Sequence, residues 1–578
     1  MAWGMLENPP TMSFAPSASA TIFRNILLVV CVVMPWLNPF AVGPSTAVMP
    51  LLLSWMCVAC LGLLVFELPL VPQPTTRLAL YGLGLFMGML TALLTVPQVV
   101  DHALTAGLIT ALLSVGLMTR VGLHVAWCGS GLVRWVAWAW VLAAVFSSVL
   151  AVLQYLGLAQ ALSPWVNQPL PGDAFANLRQ RNQFASLTSL GLVAGLAVWA
   201  HRARRGAVTP RTLACAWLVL NVLAIGVACS ASRTGAVQWV VIGGLAALWA
   251  WRNSYPSKSL GGLALMAPVL VVLWSVLMPW LAAQLHIQTG VSVISRLAGH
   301  AQDYGVCGQR QVLWSNMWVL LVQRPWLGWG WGETDFAHFM TAYPGLRFCD
   351  MLDNAHNLPL HLAVELGLPL AIALVGGAVV WALQRQPWRE RDPWRSMAWG
   401  VLTVLTLHSL VEYPLWYGPF QMTLGLALGL LWSRPNAQRP DAVGPIAQRP
   451  SSVSQAWAIT LACLLFLGCL YAAWDFNRVA QIYRAPAQRD AMYRDDPLAH
   501  AKASWLFRNQ AEFAELTVQT VTTDNAQHVF TLASRLMHYS PEPRVVERLI
   551  DSAKLLGHDE LAQTLSERLK DAQHHVQH

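Results

Sequence analysis

Apolar residues run along this chain in blocks of about twenty, and polar turns divide them. A helix rises ~1.5 Å per residue, so about twenty residues cross a hydrocarbon layer ~30 Å thick. Blocks of that kind lie near 25–41, 46–66, 77–96, 102–119, 133–157, 184–200, 211–229, 234–251, 261–281, 358–382, 395–411, 416–433 and 455–474. They predict an all-α fold, a polytopic transmembrane helical bundle of about thirteen spans. One long polar interruption, from about 285 to 357, closes on Asp353-Asn354-Ala355-His356-Asn357 and sets a histidine where a helix is about to begin. After the last block, Trp474 to His578 is polar. It reads as helix over Val529–Met537, a break at Tyr539-Ser540-Pro541-Glu542-Pro543, then helices over Arg544–Leu556 and Glu560–Leu569. Val546, Leu549, Ile550 and Ala553 keep helical spacing there.

Four parts follow: N-terminal spans over 1–160, a core over 161–384 that includes the loop 285–357, further spans over 385–474, and a helical domain over 475–578. Composition agrees with a membrane protein, with 56% hydrophobic and 11% charged residues and 29 tryptophans. Met1 to Ala20 lacks a basic patch followed by an apolar core, so the first apolar run is expected to be a retained helix.

Charge adds orientation. Arg24, Arg77, Arg120, Arg134, the cluster Arg202, Arg204, Arg205 and Arg211, then Arg252 and Lys258 fall on one side when the spans are taken in order. Arg385, Arg389, Arg391, Arg395, Arg434, Arg439 and Arg449 join them. Basic loops face the cytoplasm, which places the N-terminus inside and, for an odd number of spans, the C-terminus outside. The net charge of +8 is then a topology signal, and no basic-aromatic footprint for nucleic acid is present.

The outer side carries few cations, and those sit at helix ends: Arg179 and Arg181 beside Gln183, Arg233 in Ser230-Ala231-Ser232-Arg233-Thr234-Gly235, and Arg310 in the long loop. His356 closes that loop, and Glu412 and Tyr413 lie in a short turn facing the same compartment. A lone arginine at a helix end is ordinarily a snorkelling anchor. Anchors favour the cytoplasmic side, and these do not, so convergence on a functional site is the expectation. His338 and His361 read as ordinary interfacial histidines, and Glu412 could simply pair with a neighbouring arginine. Leu327-Gly328-Trp329-Gly330-Trp331-Gly332 has no preceding strand and no Lys-Ser/Thr after it, so it is read as an interfacial turn with tryptophans at headgroup depth. Cys307 and Cys349 both fall in the long outer loop, where an oxidising compartment would permit them to pair. No Cys/His spacing or acidic pair suggests a metal site.

Taken in order, Asn177-Leu178-Arg179-Gln180-Arg181-Asn182-Gln183, Ser230-Ala231-Ser232-Arg233-Thr234-Gly235, Gln309-Arg310-Gln311-Val312-Leu313-Trp314, Arg324-Pro325-Trp326-Leu327-Gly328-Trp329-Gly330-Trp331-Gly332 and Asn354-Ala355-His356-Asn357 resemble the O-antigen ligase superfamily. That superfamily joins WaaL-type ligases, Wzy-type polymerases and PglL-type protein O-oligosaccharyltransferases of Gram-negative bacteria. The first motif and the extension after about 390 look like the PglL type. Arg181 stands where many relatives have proline, which leaves Arg179 and Arg181 both open as the functional arginine, and Tyr413 and Tyr417 are likewise both open.

The resemblance implies a metal-independent glycosyltransferase of the inner membrane, without a cofactor, that moves a preassembled glycan from undecaprenyl diphosphate to a periplasmic acceptor such as pilin. Guanidinium groups bind phosphate oxygens as a bidentate fork, which suits Arg181, Arg233 and Arg310 to the diphosphate, with Arg179 as a further candidate. His356 suits the base, and Gln183, Glu412 and Tyr413 suit contacts to sugar or acceptor. The tail resembles a tetratricopeptide-like hairpin, although no fixed repeat is visible, and it favours a protein acceptor over lipid A core. A WaaL-type ligase, a Wzy-type polymerase and a lipid-linked oligosaccharide transporter are the alternatives.

Overall fold

A computed structural model describes residues 18–40, 45–65, 101–253, 259–287, 306–432 and 452–574. Among these, every regular element is helical. The bundle is built from α1 (Ala18–Leu37), α2 (Val48–Val65), α3 (His102–Trp127), α4 (Ser130–Tyr155), α5 (Arg181–Arg204), α6 (Pro210–Ser230), α7 (Arg233–Arg252) and α8 (Ser259–Gln284). After the loop come α12 (Leu368–Arg385), α13 (Pro393–Ser409), α14 (Gly418–Trp432) and α15 (Ser452–Ala480). The loop itself holds α9 (Arg310–Gln323), α10 (Thr334–Met340) and α11 (Leu358–Leu366).

Eight described helices are long and apolar enough to cross a membrane: α3 to α8, α12 and α15. The count expected from sequence was thirteen. The expected span 77–96 lies outside the described residues. The block 358–382 is not one helix: Gly367 divides it into α11 and α12. α13 and α14 have 17 and 15 residues, yet each joins the two ends of the bundle.

α5 lies at the centre, packed by α4, α6, α7 and α13, and most of its side chains are buried. A stack of polar side chains ties three of these helices where no water reaches. Ser189 Oγ donates to Gln238 Oε1 at 2.9 Å, Gln238 Nε2 donates to Ser186 Oγ at 2.9 Å, and Ser186 Oγ meets His408 Nδ1 at 2.9 Å. Buried polar groups that satisfy one another fix one helix register, because a slip would orphan them.

The bundle has two chemically different ends. At one, Arg204 donates to the Arg391 carbonyl, Asn253 Nδ2 to the Glu390 carbonyl at 3.1 Å and Arg395 Nη1 to the Leu431 carbonyl at 2.8 Å. At the other, the starts of α5 and α7 meet the turn after α13 and the long loop.

The loop packs around its own core, in which Leu313, Met317, Leu320, Phe348, Leu352 and Val364 are buried. Gly328 and Gly367 let two strands of chain cross: a Cβ at Gly328 would lie 2.4 Å from the Glu365 carbonyl, and one at Gly367 2.1 Å from the Trp326 carbonyl. Their φ values of 70° and 81° favour glycine as well. Trp329 donates to the Leu320 carbonyl and Trp331 stacks on Trp416, so both rings take part in the loop's packing.

Beyond α15 the chain forms α16 (Pro497–Lys502), α17 (Arg508–Val518), α18 (Ala526–Leu536), α19 (Pro543–Leu555) and α20 (Asp559–His574). Val546, Leu549, Ile550 and Ala553 are buried among them. Buried Asp475 of α15 ties this unit to the helix by accepting from Ser504 Oγ at 2.7 Å and the Leu506 amide at 3.0 Å, and its ion-pair partner Arg478, one turn on, donates to the Ala503 carbonyl at 3.1 Å. Phe339 of α10 enters its core, and His538 meets Glu333 at 2.7 Å while stacking on Phe336.

Candidate active site at the Glu412 cluster

The turn Val411–Tyr417 hangs between α13 and α14, and the Glu412 amide still bonds the His408 carbonyl at 2.9 Å. That holds its side chain against the loop. Only 6% of Glu412 is exposed, and both carboxylate oxygens are occupied. Oε1 accepts from Arg310 Nη2 at 2.7 Å and from Asn182 Nδ2 at 3.0 Å, and Oε2 meets His356 Nδ1 at 2.8 Å. Burial pushes the Glu412 carboxyl up, but the hydrogen bond and charge of His356, with Arg310, outweigh it and leave the group below its ordinary value. An ionised carboxylate only accepts, so Nδ1 carries a proton, and Nε2 is the ring nitrogen left to accept one.

The residues around His356 determine its position. Its φ is 48°, a left-handed conformation uncommon outside glycine and asparagine. Asn354 Oδ1 accepts the His356 amide at 2.9 Å, and Trp314 Nε1 donates to the Ala355 carbonyl at 3.1 Å. Asn357 caps α11 through the Leu360 amide at 3.0 Å and donates to the Leu410 carbonyl at 3.1 Å. The Tyr413 ring stands edge-on to the imidazole, 5.0 Å between centroids, and stacks on Tyr417. Burial raises the pKa of Tyr413 and of the nearby Asp353.

Arg310 opens α9. Just before it, Cys307 is disulfide-bonded to Cys349 with Cα atoms 5.4 Å apart, and Asn316 binds the Leu346 carbonyl and the Phe348 amide. The base of α9 is thus held on two sides. Arg310 keeps 40% of its side chain exposed, and Glu412 is its one ion-pair partner among the described residues.

Arg233 is the first residue of α7, exposed, with no ion pair among the described residues. Its neighbour Ser232 caps α7 through the Gly235 amide at 3.1 Å and donates to Asn182 Oδ1 at 2.7 Å. Asn182 therefore links the Arg233 turn to Glu412. Arg181 pairs with Asp173, and Arg179, with φ 59°, donates to the Pro39 carbonyl. Neither is in direct contact with the Glu412 cluster. Gln183 is buried and reaches the Tyr417 hydroxyl. The segment before α5 is shaped by Gln154, which bonds the backbone of 167, 175 and 176, and by Asn177, which bonds that of 37, 165 and 167.

Of the residues expected from sequence, His356, Arg310, Glu412 and Tyr413 come together, and Arg233 is linked to them through its neighbour Ser232 by two hydrogen bonds in series, Ser232 to Asn182 and Asn182 to Glu412. Asn182, Ser232 and Asn354 carry no charge and drew no role. The available signal was position: Asn182 stands between two singled-out residues, and Ser232 precedes a Thr-Gly helix start. Glu412 was expected to contact substrate, and its two oxygens hold Arg310, Asn182 and His356. Among the described residues no group of three His, Cys, Asp or Glu side chains gathers to hold a metal ion.

Three family models match in order along the chain: "Protein glycosylation ligase" over 174–199, "O-Antigen ligase" over 214–375, and "Virulence factor membrane-bound polymerase, C-terminal" over 396–577. A "General O-oligosaccharyltransferase" of Acinetobacter baylyi (strain ATCC 33305 / BD413 / ADP1) is 24% identical over 360 residues. The chain is similar to the O-antigen ligase superfamily, and the first match and this relative support a PglL-type reading. The match to that relative covers 60% of this chain and 57% of the relative. No solved structure matches. Each matched segment supplies one wall of the cluster: Asn182 from the first, Arg310 and His356 from the second, Glu412 and Tyr413 from the third.

Proposed function

We propose that this PglL-type protein transfers a preassembled glycan from undecaprenyl diphosphate to serine or threonine hydroxyls of periplasmic proteins such as pilin. The observation that carries the reading is Glu412 holding His356 Nδ1 at 2.8 Å and Arg310 at 2.7 Å on its two oxygens. His356 Nε2 takes the proton of the acceptor hydroxyl, whose oxygen attacks the anomeric carbon. The bond from that carbon to the diphosphate breaks in the same step, with inversion and without metal. Charge gathers on the departing diphosphate, where Arg310 and Arg233 receive it. Arg179 and Arg181 shape the entrance through Pro39 and Asp173, Gln183 orients Tyr417, and Tyr413 borders the sugar. The N-terminus faces the cytoplasm, the basic end lies inside, and the cluster and the C-terminal helices face the periplasm.

A host carrying undecaprenyl-linked glycan, a periplasmic pilin and intact lipid A core tests this, comparing wild type with His356→Ala. Glycan on pilin with wild type alone is the expected result. Glycan on lipid A core from wild type would move the activity to the WaaL type. The match to the polymerase family model favours one second reading, elongation of carrier-linked glycan, which the same assay reads as longer chains with pilin unmodified.

A further inference from the structure

At the end of α5 away from the Glu412 cluster, a cavity of about 270 Å³ opens between α4, α5, α6 and α8. Its walls are apolar, with Trp138, Gly195, Trp199 and Leu220 among them, and Arg202 and Thr212 stand at its polar rim. Along α5 it runs from Gly191 to Arg202, about 16 Å at ~1.5 Å per residue, which is half the ~30 Å hydrocarbon thickness. The cavity therefore has the depth of one leaflet.

The rim is positive and unsatisfied. Arg202 is exposed and makes no ion pair or side-chain hydrogen bond among the described residues, and the same holds for Arg211, next to Thr212, and for Arg134, one turn before Trp138. The nearby carboxylate of Asp392 is engaged in capping α13. A guanidinium beside an apolar slot calls for an anion with a hydrocarbon tail. The glycan donor has that chemistry too, but its diphosphate belongs at the Arg181 end of α5, about 30 Å away at ~1.5 Å per residue.

We propose that this cavity is a binding site for an anionic glycerophospholipid, with one acyl chain between α4, α5, α6 and α8 and its phosphate at Arg202 and Arg211. The site is separate from the transfer site and takes lipid from the opposite leaflet. It fills the seam between α5 and α6, the helices that carry Asn182 and lead into the Arg233 turn.

The full chain, purified and stripped of lipid in neutral detergent, is titrated with phosphatidylglycerol or with phosphatidylcholine while its thermal unfolding midpoint is followed. Phosphatidylglycerol raises the midpoint and phosphatidylcholine does not. Arg202→Ala with Arg211→Ala shifts the half-effect concentration up by roughly tenfold or more, since each surface cation contributes on the order of 1 kcal/mol toward anionic lipid. Arg202→Lys with Arg211→Lys retains most of the effect. Gly195→Leu removes it without loss of fold: the nearest neighbour of a Cβ there is Val141 Cγ2 at 3.9 Å, so the side chain enters the cavity. Equal response to both lipids, or an unchanged response in the Ala and Leu variants, overturns the proposal. So does mass spectrometry of wild type purified in native-membrane particles, if the lipid lost on Arg202→Ala, Arg211→Ala substitution is polyprenyl diphosphate.

Discussion

A histidine that is to accept a proton needs one ring nitrogen pinned and the other open, and the Glu412 carboxylate supplies the pin. His356→Ala removes the base and is expected to lower transfer by about 10²–10⁴. Glu412→Gln keeps the shape but loses the charge that orders the tautomer and pairs Arg310; we expect a fall in kcat of at least ~10² with a smaller change in donor KM. Steady-state transfer between purified lipid-linked glycan and acceptor checks both, and an equal rate for Glu412→Gln would remove the carboxylate from the mechanism. The lowered Glu412 pKa has a sign that can be checked as well. Its contribution to stability is complete above its ordinary value of 4.5 and is lost as pH falls through the lower folded value. Thermal midpoints between pH 6 and 3 should fall more steeply for wild type than for Glu412→Gln. Much of this site was legible because its charged members stand in polar motifs at helix ends. What was not legible is who holds whom. Arg181 and Arg233 look alike as sequence, yet one pairs with Asp173 and the other has no ion pair among the described residues.

Helices α11 and α12 show what apolar periodicity does and does not decide. The block 358–382 has the composition of one span, but Gly367 at φ 81° turns the chain, and the Leu368 amide bonds the Pro325 carbonyl at 2.8 Å. Hydropathy sums the block and is blind to that crossing. Gly367→Ala forces a Cβ into the Trp326 carbonyl in a conformation alanine resists, for a cost of at least ~1–3 kcal/mol. The expected outcome is a lower thermal midpoint together with weaker transfer, because α11 is the helix that His356 precedes. A rise or no change in midpoint would show that the crossing relaxes freely. The bridge from Cys307 to Cys349 steadies the same loop from the other side, closing a separation of 42 residues. Replacing both by serine should cost about 2–4 kcal/mol. In the intact chain these two thiols should label only after reduction.

For the whole molecule the question is how a helical appendage is coupled to a membrane-edge site, and α10 is the joint. Phe339, 5% exposed, is buried in the core of the C-terminal helices, while Ala337, one helix face away, is buried in the core of the loop. Glu333 and His538 close the contact at its edge. Sequence periodicity located the C-terminal helices, but the joint depends on a seven-residue helix too short to leave a periodic mark. A protein substrate held by α17 to α20 would be presented to His356 through α10. Phe339→Ala removes the shared ring at a cost of about 3–5 kcal/mol if the gap does not collapse. Hydrogen exchange should then rise over 334–340 and 526–574 together, with α5 and α7 unchanged. If acceptor proteins dock on these helices, transfer to protein falls, whereas cleavage of the donor by water at the Glu412 cluster continues at the wild-type rate. Loss of both activities in parallel would instead make α10 a support of the cluster itself and would leave acceptor choice to the loop.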